Sequence, residues 1–540
     1  MTESNHQRRR RALPVIAFAL VAFTAGAIVG ANHHGGSAAD ALADAFVRAW
    51  THEDYATMYS DLDASSKRAI SVSEFADTYR QALRTSTAVD VRIHGRTRDL
   101  AGAIVEVPVR VRTRLFGTLT LKYTLHIGEQ DESGPAIAWS RSLAFPGLRA
   151  GETLVSHISM PRRATLLARD SSVLAESPPG LEHALDERVR GRSGGALLEG
   201  TRLLAYVPPH AASAVRTSIS PTVQRAAVAA LAGQYGGIVA MDPRTGQILA
   251  VAGIGLEGLQ PPGSTFKMVT LTGVLEAGLA NRHTVFPYAT FATLDGVKLS
   301  NAHGESCGGS LELAFAVSCN SVFSPLGFKL GASRLVASAE RLGFNHAPGI
   351  EGAAESTLPA ASALQGELEI GSTAIGQGQV LATPLQMASV AATVADGGRR
   401  PIPQFLTEPA HFASERAMSA SVARTVRRLM IGVVRFGTGG AAAIPGVSVA
   451  GKTGTAELKS ACPTSTATSE ASTEESAANK ECAAAGETEA SNTDAWFAAF
   501  APATHPRIAV CVLLVKDGAG GDTAAPVAKQ VLEAGLQAGH

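Results

Sequence analysis

The sequence predicts a multidomain α+β protein with a single N-terminal transmembrane helix, a small α+β domain, a linker or pedestal domain, and a large α+β domain whose antiparallel sheet is flanked by helices. Three observations carry this reading. The uncharged apolar run Leu13–Ala31 stands behind the basic run Arg8–Arg11. From Ala38 to about Leu148 the apolar spacing is first helical and then alternates with a period of two. From Ser218 onward two short strands come early, a long helical stretch follows, and strands return near the C-terminus. A chain of 540 residues has room for several domains, and 45% hydrophobic residues supply large cores. Lys plus Arg and Asp plus Glu balance at 47 each, so no basic excess points to nucleic acid.

Residues 1–37 read as a short tail and membrane anchor. The apolar run is long enough to cross a bilayer, and its basic flank predicts a cytoplasmic N-terminus with everything after Asn32 outside. A cleaved signal peptide is the rival, because Val29-Gly30-Ala31 offers small residues for cleavage. The length of the run favours the uncleaved anchor.

Residues 38–150 form the small domain. Leu42, Ala45, Phe46, Ala49 and Trp50 recur at helical spacing, as do Tyr55, Met58, Tyr59 and Leu62. Ser71 and Glu74 have capping-box spacing ahead of a third helix carrying Phe75, Tyr79 and Leu83. Val89, Val91 and Ile93 then alternate with polar residues, followed by Val105 to Val111 and Leu119 to Ile127. Helices before a strand meander suggest a cone with one sheet face wrapped on the helices. Its aromatic residues read as core rather than a ligand pocket.

Residues 151–217 are the linker, broken by Pro178-Pro179-Gly180 and Gly191-Arg192-Ser193-Gly194-Gly195. The second segment fits G-x-S-x-G, a nucleophile elbow that needs a strand before its serine and a helix after it. The charged helical stretch Leu181–Arg190 precedes it instead, so it reads as a turn.

Residues 218–540 form the large domain. Pro221–Leu231 suits a helix, and Ile238–Met241 and Gln247–Val251 suit strands joined by Asp242-Pro243-Arg244-Thr245-Gly246. Leu256–Ile444 reads as mostly helical. Strands follow at Val447–Ala456, Trp496–Ala501 and Ile508–Val515, and a helix at Thr523–Leu536. Residues 460–492 are rich in Ala, Ser, Thr and Glu without apolar periodicity, a mobile insertion by composition. Cys462 and Cys482 bracket it, either as a pair or as two free thiols. Five cysteines without C-x-x-C or clustered histidines argue against a disulfide scaffold, a metal site or a cofactor.

The chemistry starts at Pro261-Pro262-Gly263-Ser264-Thr265-Phe266-Lys267, a turn running into a helix start. At i and i+3, Lys267 stands within reach of the Ser264 hydroxyl. A lysine with a lowered pKa can take the proton of a serine nucleophile, and free N–H groups at a helix start can hold an oxyanion. Alone, S-x-x-K is a weak signal. Ser318-Cys319-Asn320 and Lys452-Thr453-Gly454-Thr455 follow it in order.

S-x-x-K, S-x-N and K-T-G in this order are the signature set of the active-site serine penicillin-binding proteins and serine β-lactamases, and the chain resembles them. The likeness extends over Arg225–Gly253, Gly376-Gln377-Gly378, Ala382–Met387 and Trp496–Pro502. Pro161–Asp170 is similar to the arginine-rich entry segment of class B enzymes, with Ala164 where a glycine usually stands. The order of elements in residues 38–150 looks like the nuclear-transport-factor-2-like domain found at the front of some of these proteins.

The resemblance implies a membrane-anchored, extracytoplasmic class B peptidoglycan D,D-transpeptidase of the bacterial cell membrane. Ser264 would be the acyl-forming nucleophile and Lys267 its base. Ser318 would pass a proton to the leaving amine and Asn320 would hold the substrate amide. Lys452, Thr453 and Thr455 would bind a terminal carboxylate, Gly454 would let substrate backbone approach, and the N–H groups of Ser264 and Thr455 would form the oxyanion hole. Expected partners are the stem peptide as D-Ala-D-Ala donor and amine acceptor, β-lactams as covalent inhibitors, and a membrane glycan polymerase, since no glycosyltransferase-like region is seen.

The rivals are a D,D-carboxypeptidase or serine β-lactamase hydrolysing the same acyl-enzyme, and a non-catalytic β-lactam sensor. A class A β-lactamase needs a glutamate for deacylation, and no E-x-x-L-N segment follows Asn320. A sensor needs a signalling module, for which the residues before Leu13 leave no room. Gly446–Thr453 also fits a phosphate-binding P-loop, but Val447 and Val449 give strand character inside the would-be loop.

Overall fold

The computed structural model describes residues 38–100, 103–130, 134–408, 412–457 and 492–538. The expected membrane span, the Cys462–Cys482 pair and all but the end of the low-complexity insertion lie outside the described residues. Among the described residues, no helix is long and apolar enough to cross a membrane. The chain divides into two compact units, residues 38–158 with 195–208, and residues 159–194 with 209–538.

In the first unit, helices Ala38–Thr51, Tyr55–Ser60, Ala64–Ala69 and Val72–Thr85 precede an antiparallel sheet. Its strands lie in the order Ala88–Ile93, Ile104–Thr113, Thr118–Gln130, Gly134–Ile137. Ser71 caps the fourth helix, its hydroxyl accepting from the Glu74 N–H at 3.3 Å. The helix Ala64–Ala69 was not expected. It carries no apolar stripe and is set by its Asp63 cap, whose carboxylate accepts from the Ser66 N–H at 2.6 Å. Val89 is exposed, against the expected alternation, because a register shift between Ala88 and Asp90 turns it outward.

Phe46, Trp50, Phe75 and Tyr79 of the helices pack with Val105, Val107, Val109 and Tyr123 of the sheet. Each fully buried phenylalanine contributes about 2–3 kcal/mol of hydrophobic transfer. The Tyr79 and Tyr123 hydroxyls share a 2.8 Å hydrogen bond inside this core. Burial pushes both phenols up, so they stay neutral. The aromatic side chains fill the cone.

The second unit is built on a five-stranded antiparallel sheet. Its order is Ile248–Gly253, Gly236–Met241, Ile508–Leu514, Thr493–Ala501, Ala450–Glu457. Both faces are covered, which is why its inner strands are largely apolar, while the edge strand Ala450–Glu457 carries Lys452, Thr453, Thr455 and Glu457. In Ile508–Leu514, residues Val510 and Val512 face one core with helices Pro221–Leu231 and Ala524–Gln537. Ala509, Cys511 and Leu513 face the other core, with Phe266, Phe315 and Phe323. The stretch Leu256–Ile444 is less uniformly helical than its composition suggests. It includes the strand pairs Val285–Ala289 with Cys307–Ser310, Phe291–Leu294 with Val297–Ser300, and Arg399–Pro401 with Ser414–Arg416.

The two decoys resolve on geometry. Around Ser193, a helix, Asp186–Val189, comes before and a strand, Gly194–Glu199, comes after, the reverse of a nucleophile elbow. The lysine of the P-loop-like match lies inside the strand Ala450–Glu457, whereas a P-loop lysine stands where a loop enters a helix.

Candidate active site

Ser264 sits in the 3-10 turn Gly263–Phe266, and Lys267 opens the α-helix Lys267–Glu276. In a 3-10 turn residues i and i+3 eclipse, which sets the two side chains over one another. Gly263 holds φ +49°, and a Cβ there would come within 2.7 Å of the Thr455 carbonyl oxygen. Its N–H donates to the Gly376 carbonyl at 3.0 Å. The nucleophile's turn is thereby wedged between the last strand of the sheet and the Gly376 segment.

Gly454 makes a contact within the fold that the sequence reading did not foresee. A Cβ there would lie 2.7 Å from the Pro262 carbonyl oxygen and 2.9 Å from the Trp496 Cβ. The space a Cβ would take is filled by the turn carrying Ser264, so this glycine lets that turn dock on the strand.

The second motif lies where the helix Leu311–Ala316 ends and the helix Asn320–Leu330 begins. Ser318 takes the left-handed conformation, φ +61°. That turn aims its backbone carbonyl and its hydroxyl at the same buried amine, the Nζ of Lys267. The Lys267 Nζ donates to the Ser318 carbonyl at 2.6 Å and to the Asn320 Oδ1 at 2.7 Å, and stands 3.3 Å from the Ser318 Oγ. The Lys452 Nζ, arriving from the strand Ala450–Glu457, donates to the same Oγ at 2.8 Å and to the Thr453 carbonyl at 3.0 Å. One hydroxyl therefore bridges two lysines that come from distant parts of the chain.

The expected hydrogen bond from Ser264 to Lys267 is not made; among the described residues the Ser264 hydroxyl has no hydrogen-bond partner. The Ser318 carbonyl, turned inward by its backbone conformation, holds the lysine instead. The site residues thus join in two ways. Lys267, Ser318, Asn320, Lys452 and Thr453 are linked by hydrogen bonds. Ser264, Gly454 and Thr455 are joined to them through the packing of the turn on the strand.

Both lysines are fully buried, and among the described residues neither faces a carboxylate. Burial, with the neighbouring Lys452 second, drives Lys267 well below its ordinary value. Burial alone brings Lys452 down to about 7. In a neutral Lys267, the Ser318 carbonyl and Asn320 Oδ1 take both N–H donors and leave the lone pair free. That is the state a general base needs.

A pH profile follows from these directions. The second-order constant for acylation should rise with pH as Lys267 loses its proton. It should fall again above about pH 7 as Lys452 loses the charge that attracts an anionic substrate. Stopped-flow acylation by a carboxylate-bearing β-lactam from pH 5 to 9 measures it. A flat profile across that range would remove Lys452 from the charge-bearing role.

Two features escaped the sequence reading. Cys307 and Cys319 form a disulfide that ties the middle residue of S-x-N to the strand Cys307–Ser310. The signal was present in two cysteines separated by 12 positions, one inside a motif. Thr438, after the helix Ala420–Phe436, places its hydroxyl 2.6 Å from that of Thr453 and its N–H 3.1 Å from the Ala316 carbonyl. A lone threonine beside glycines carries no signal of its own.

The penicillin-binding protein transpeptidase domain model matches residues 236–533, and an NTF2-like N-terminal transpeptidase domain model matches residues 38–152. Peptidoglycan D,D-transpeptidase PbpA of Mycobacterium tuberculosis is 32% identical over 60% of this chain and 72% of its own length. PbpA of Mycolicibacterium smegmatis is 31% identical over 68% of this chain and 81% of its own. Penicillin-binding protein A of M. tuberculosis, solved as its penicillin G acyl-enzyme, superposes with a TM-score of 0.54 at 26% identity, covering 70% of this chain and 100% of that one. The D,D-transpeptidase domain of a peptidoglycan glycosyltransferase from Eggerthella lenta gives 0.56 at 28%, covering 70% and 98%. With three ordered motifs and these matches in agreement, the chain belongs to the class B penicillin-binding proteins, with an NTF2-like domain ahead of its transpeptidase domain.

Proposed function

We infer that this protein is a serine D,D-transpeptidase that cross-links peptidoglycan stem peptides through an acyl-enzyme which β-lactams trap. The observation that carries the reading is the Ser318 hydroxyl held between the buried amines of Lys267 and Lys452 beside the Ser264 turn. Lys267 takes the Ser264 proton, and the freed oxygen attacks the carbonyl of the penultimate D-alanine. The N–H groups of Ser264 and Thr455 hold the developing oxyanion. The proton returns through Ser318 to the leaving amine, and D-alanine departs. Lys452 and the hydroxyls of Thr453 and Thr455 hold the terminal carboxylate of the donor, and Asn320 its amide. An acceptor amine then resolves the ester, with Lys267 again exchanging the proton.

Transfer rather than hydrolysis is supported by the relatives, whose names are those of transpeptidases, and by a solved neighbour captured as its penicillin G and ceftriaxone acyl-enzymes. We further propose, from the apolar run at residues 13–31, a single-pass membrane anchor with the catalytic unit outside the cytoplasm, and a membrane glycan polymerase as the source of nascent strands.

Mass spectrometry of the protein incubated with benzylpenicillin tests the reaction. The expected result is one adduct on the peptide containing Ser264, persisting long after free drug is removed. Rapid appearance of hydrolysed drug with no adduct would make the protein a hydrolase.

A further inference from the structure

We propose that the outer face of the hairpin Phe291–Ser300 is a platform for the donor peptide, with Phe291 and Lys298 selecting an acidic, partly apolar segment upstream of the scissile bond; this rests on the transpeptidase reading above. The hairpin pairs Phe291 with Ser300, Ala292 with Leu299, Thr293 with Lys298 and Leu294 with Val297. Ala292 and Leu294 are buried, so alternation puts Phe291, Thr293, Lys298 and Ser300 together on the exposed face.

That face runs directly into the catalytic cluster. The Ser300 carbonyl accepts from the Asn320 Nδ2 at 2.8 Å. The neighbouring Asn301 accepts from the Ser321 N–H at 2.8 Å and donates to the Ala289 and Glu305 carbonyls, both at 2.8 Å. The far end is fixed as well. Asp295 and Gly296 form the two-residue turn at φ +49° and +80°, and the Asp295 carboxylate accepts from the Leu368 N–H at 2.9 Å.

An exposed aromatic ring alone is ordinary. Here the ring is 39% exposed on a hairpin anchored at both ends and shares that hairpin with the residue that holds Asn320. The Lys298 Nζ stands 4.7 Å from the Phe291 ring centre and has no carboxylate partner among the described residues. A preorganised ring and ammonium supply an apolar face beside a positive charge at little ordering cost. In this proposal a donor whose amide Asn320 holds carries its preceding residues across the face of Ser300 and Phe291, the hairpin face that Asn320 itself touches.

The test uses Phe291→Ala, Lys298→Ala and Lys298→Glu in the full protein. The donors are an acidic pentapeptide ending in D-Ala-D-Ala, the same peptide with its side-chain carboxylate amidated, and an N-acetylated D-Ala-D-Ala dipeptide. Release of D-alanine is measured together with acylation by benzylpenicillin. Phe291→Ala and Lys298→Ala should each lower kcat/KM for the acidic pentapeptide about five- to tenfold, with the dipeptide and benzylpenicillin within about twofold of wild type. Lys298→Glu should reverse the preference between the acidic and amidated pentapeptides. Equal turnover of all donors by wild type and variants overturns the platform, and so does an equal loss for pentapeptide, dipeptide and penicillin, which would mean the hairpin only shapes the site. Absence of D-alanine release by the wild type from any donor overturns the transpeptidase reading itself.

Discussion

Ser264→Ala should abolish covalent labelling by a fluorescent penicillin while leaving the fold intact. The loss should be complete within detection, because no other hydroxyl on the site can replace it. Ser318 is the serine of the hydrogen-bonded cluster, and its oxygen is already held by Lys452 at 2.8 Å, with a backbone turn locking its position. The Ser264 hydroxyl, by contrast, has no partner among the described residues, so its removal should cost less than about 0.5 kcal/mol of stability. Gel fluorescence for the label and thermal melting for the fold separate the two effects. Residual labelling of the alanine variant at a rate within tenfold of wild type would place the nucleophile elsewhere.

The sheet of the second unit was legible because its central strands are buried on both faces. Continuous apolar runs such as Ile508–Leu514 have few other readings when they are short and bounded by polar turns. The three motifs were legible because their order matches the signature set of the active-site serine penicillin-binding proteins, whereas S-x-x-K alone carries little. What the sequence could not show is how those segments are held. The left-handed Ser318 leaves no compositional trace, because serine is not a residue that advertises positive φ. It is this conformation that diverts Lys267 from the nucleophile to the Ser318 carbonyl.

The hairpin Phe291–Ser300 is a different kind of miss. Asp295-Gly296 is a strong two-residue turn signal, and Phe291 and Leu294 flank it. The surrounding helical composition outweighed it in a stretch whose strands are only four residues long. Gly454 was singled out, but its neighbour within the fold was not foreseen. A glycine in a strand signals close approach of something. Only the fold reveals that the approaching atom is the Pro262 carbonyl.

Lys267→Met should lower the acylation constant by about a thousandfold or more, since it removes the general base while nearly preserving side-chain volume. Its effect on stability should depend on pH, with a sign that can be worked out. Burial holds the folded-state pKa of Lys267 below that of the unfolded chain, so the unfolded state binds more protons at neutral pH. That penalty is full below the folded pKa and is relieved as pH rises toward the unfolded lysine value of about 10.4. Wild type should therefore gain stability between neutral pH and about pH 10, with Lys452 contributing from about pH 7 upward. In the methionine variant the Lys267 share of that gain is gone and the curve is flatter. The Ser318 carbonyl and the Asn320 Oδ1 lose a donor, which costs about 1–3 kcal/mol for each oxygen that water does not reach. Relief of a buried, unpaired amine offsets that loss. Chemical denaturation at pH 7 and pH 9 reads the difference. A methionine variant that retains wild-type pH dependence of stability would mean that Lys267 is solvated and charged in the folded protein, and a charged, solvated amine cannot accept the Ser264 proton.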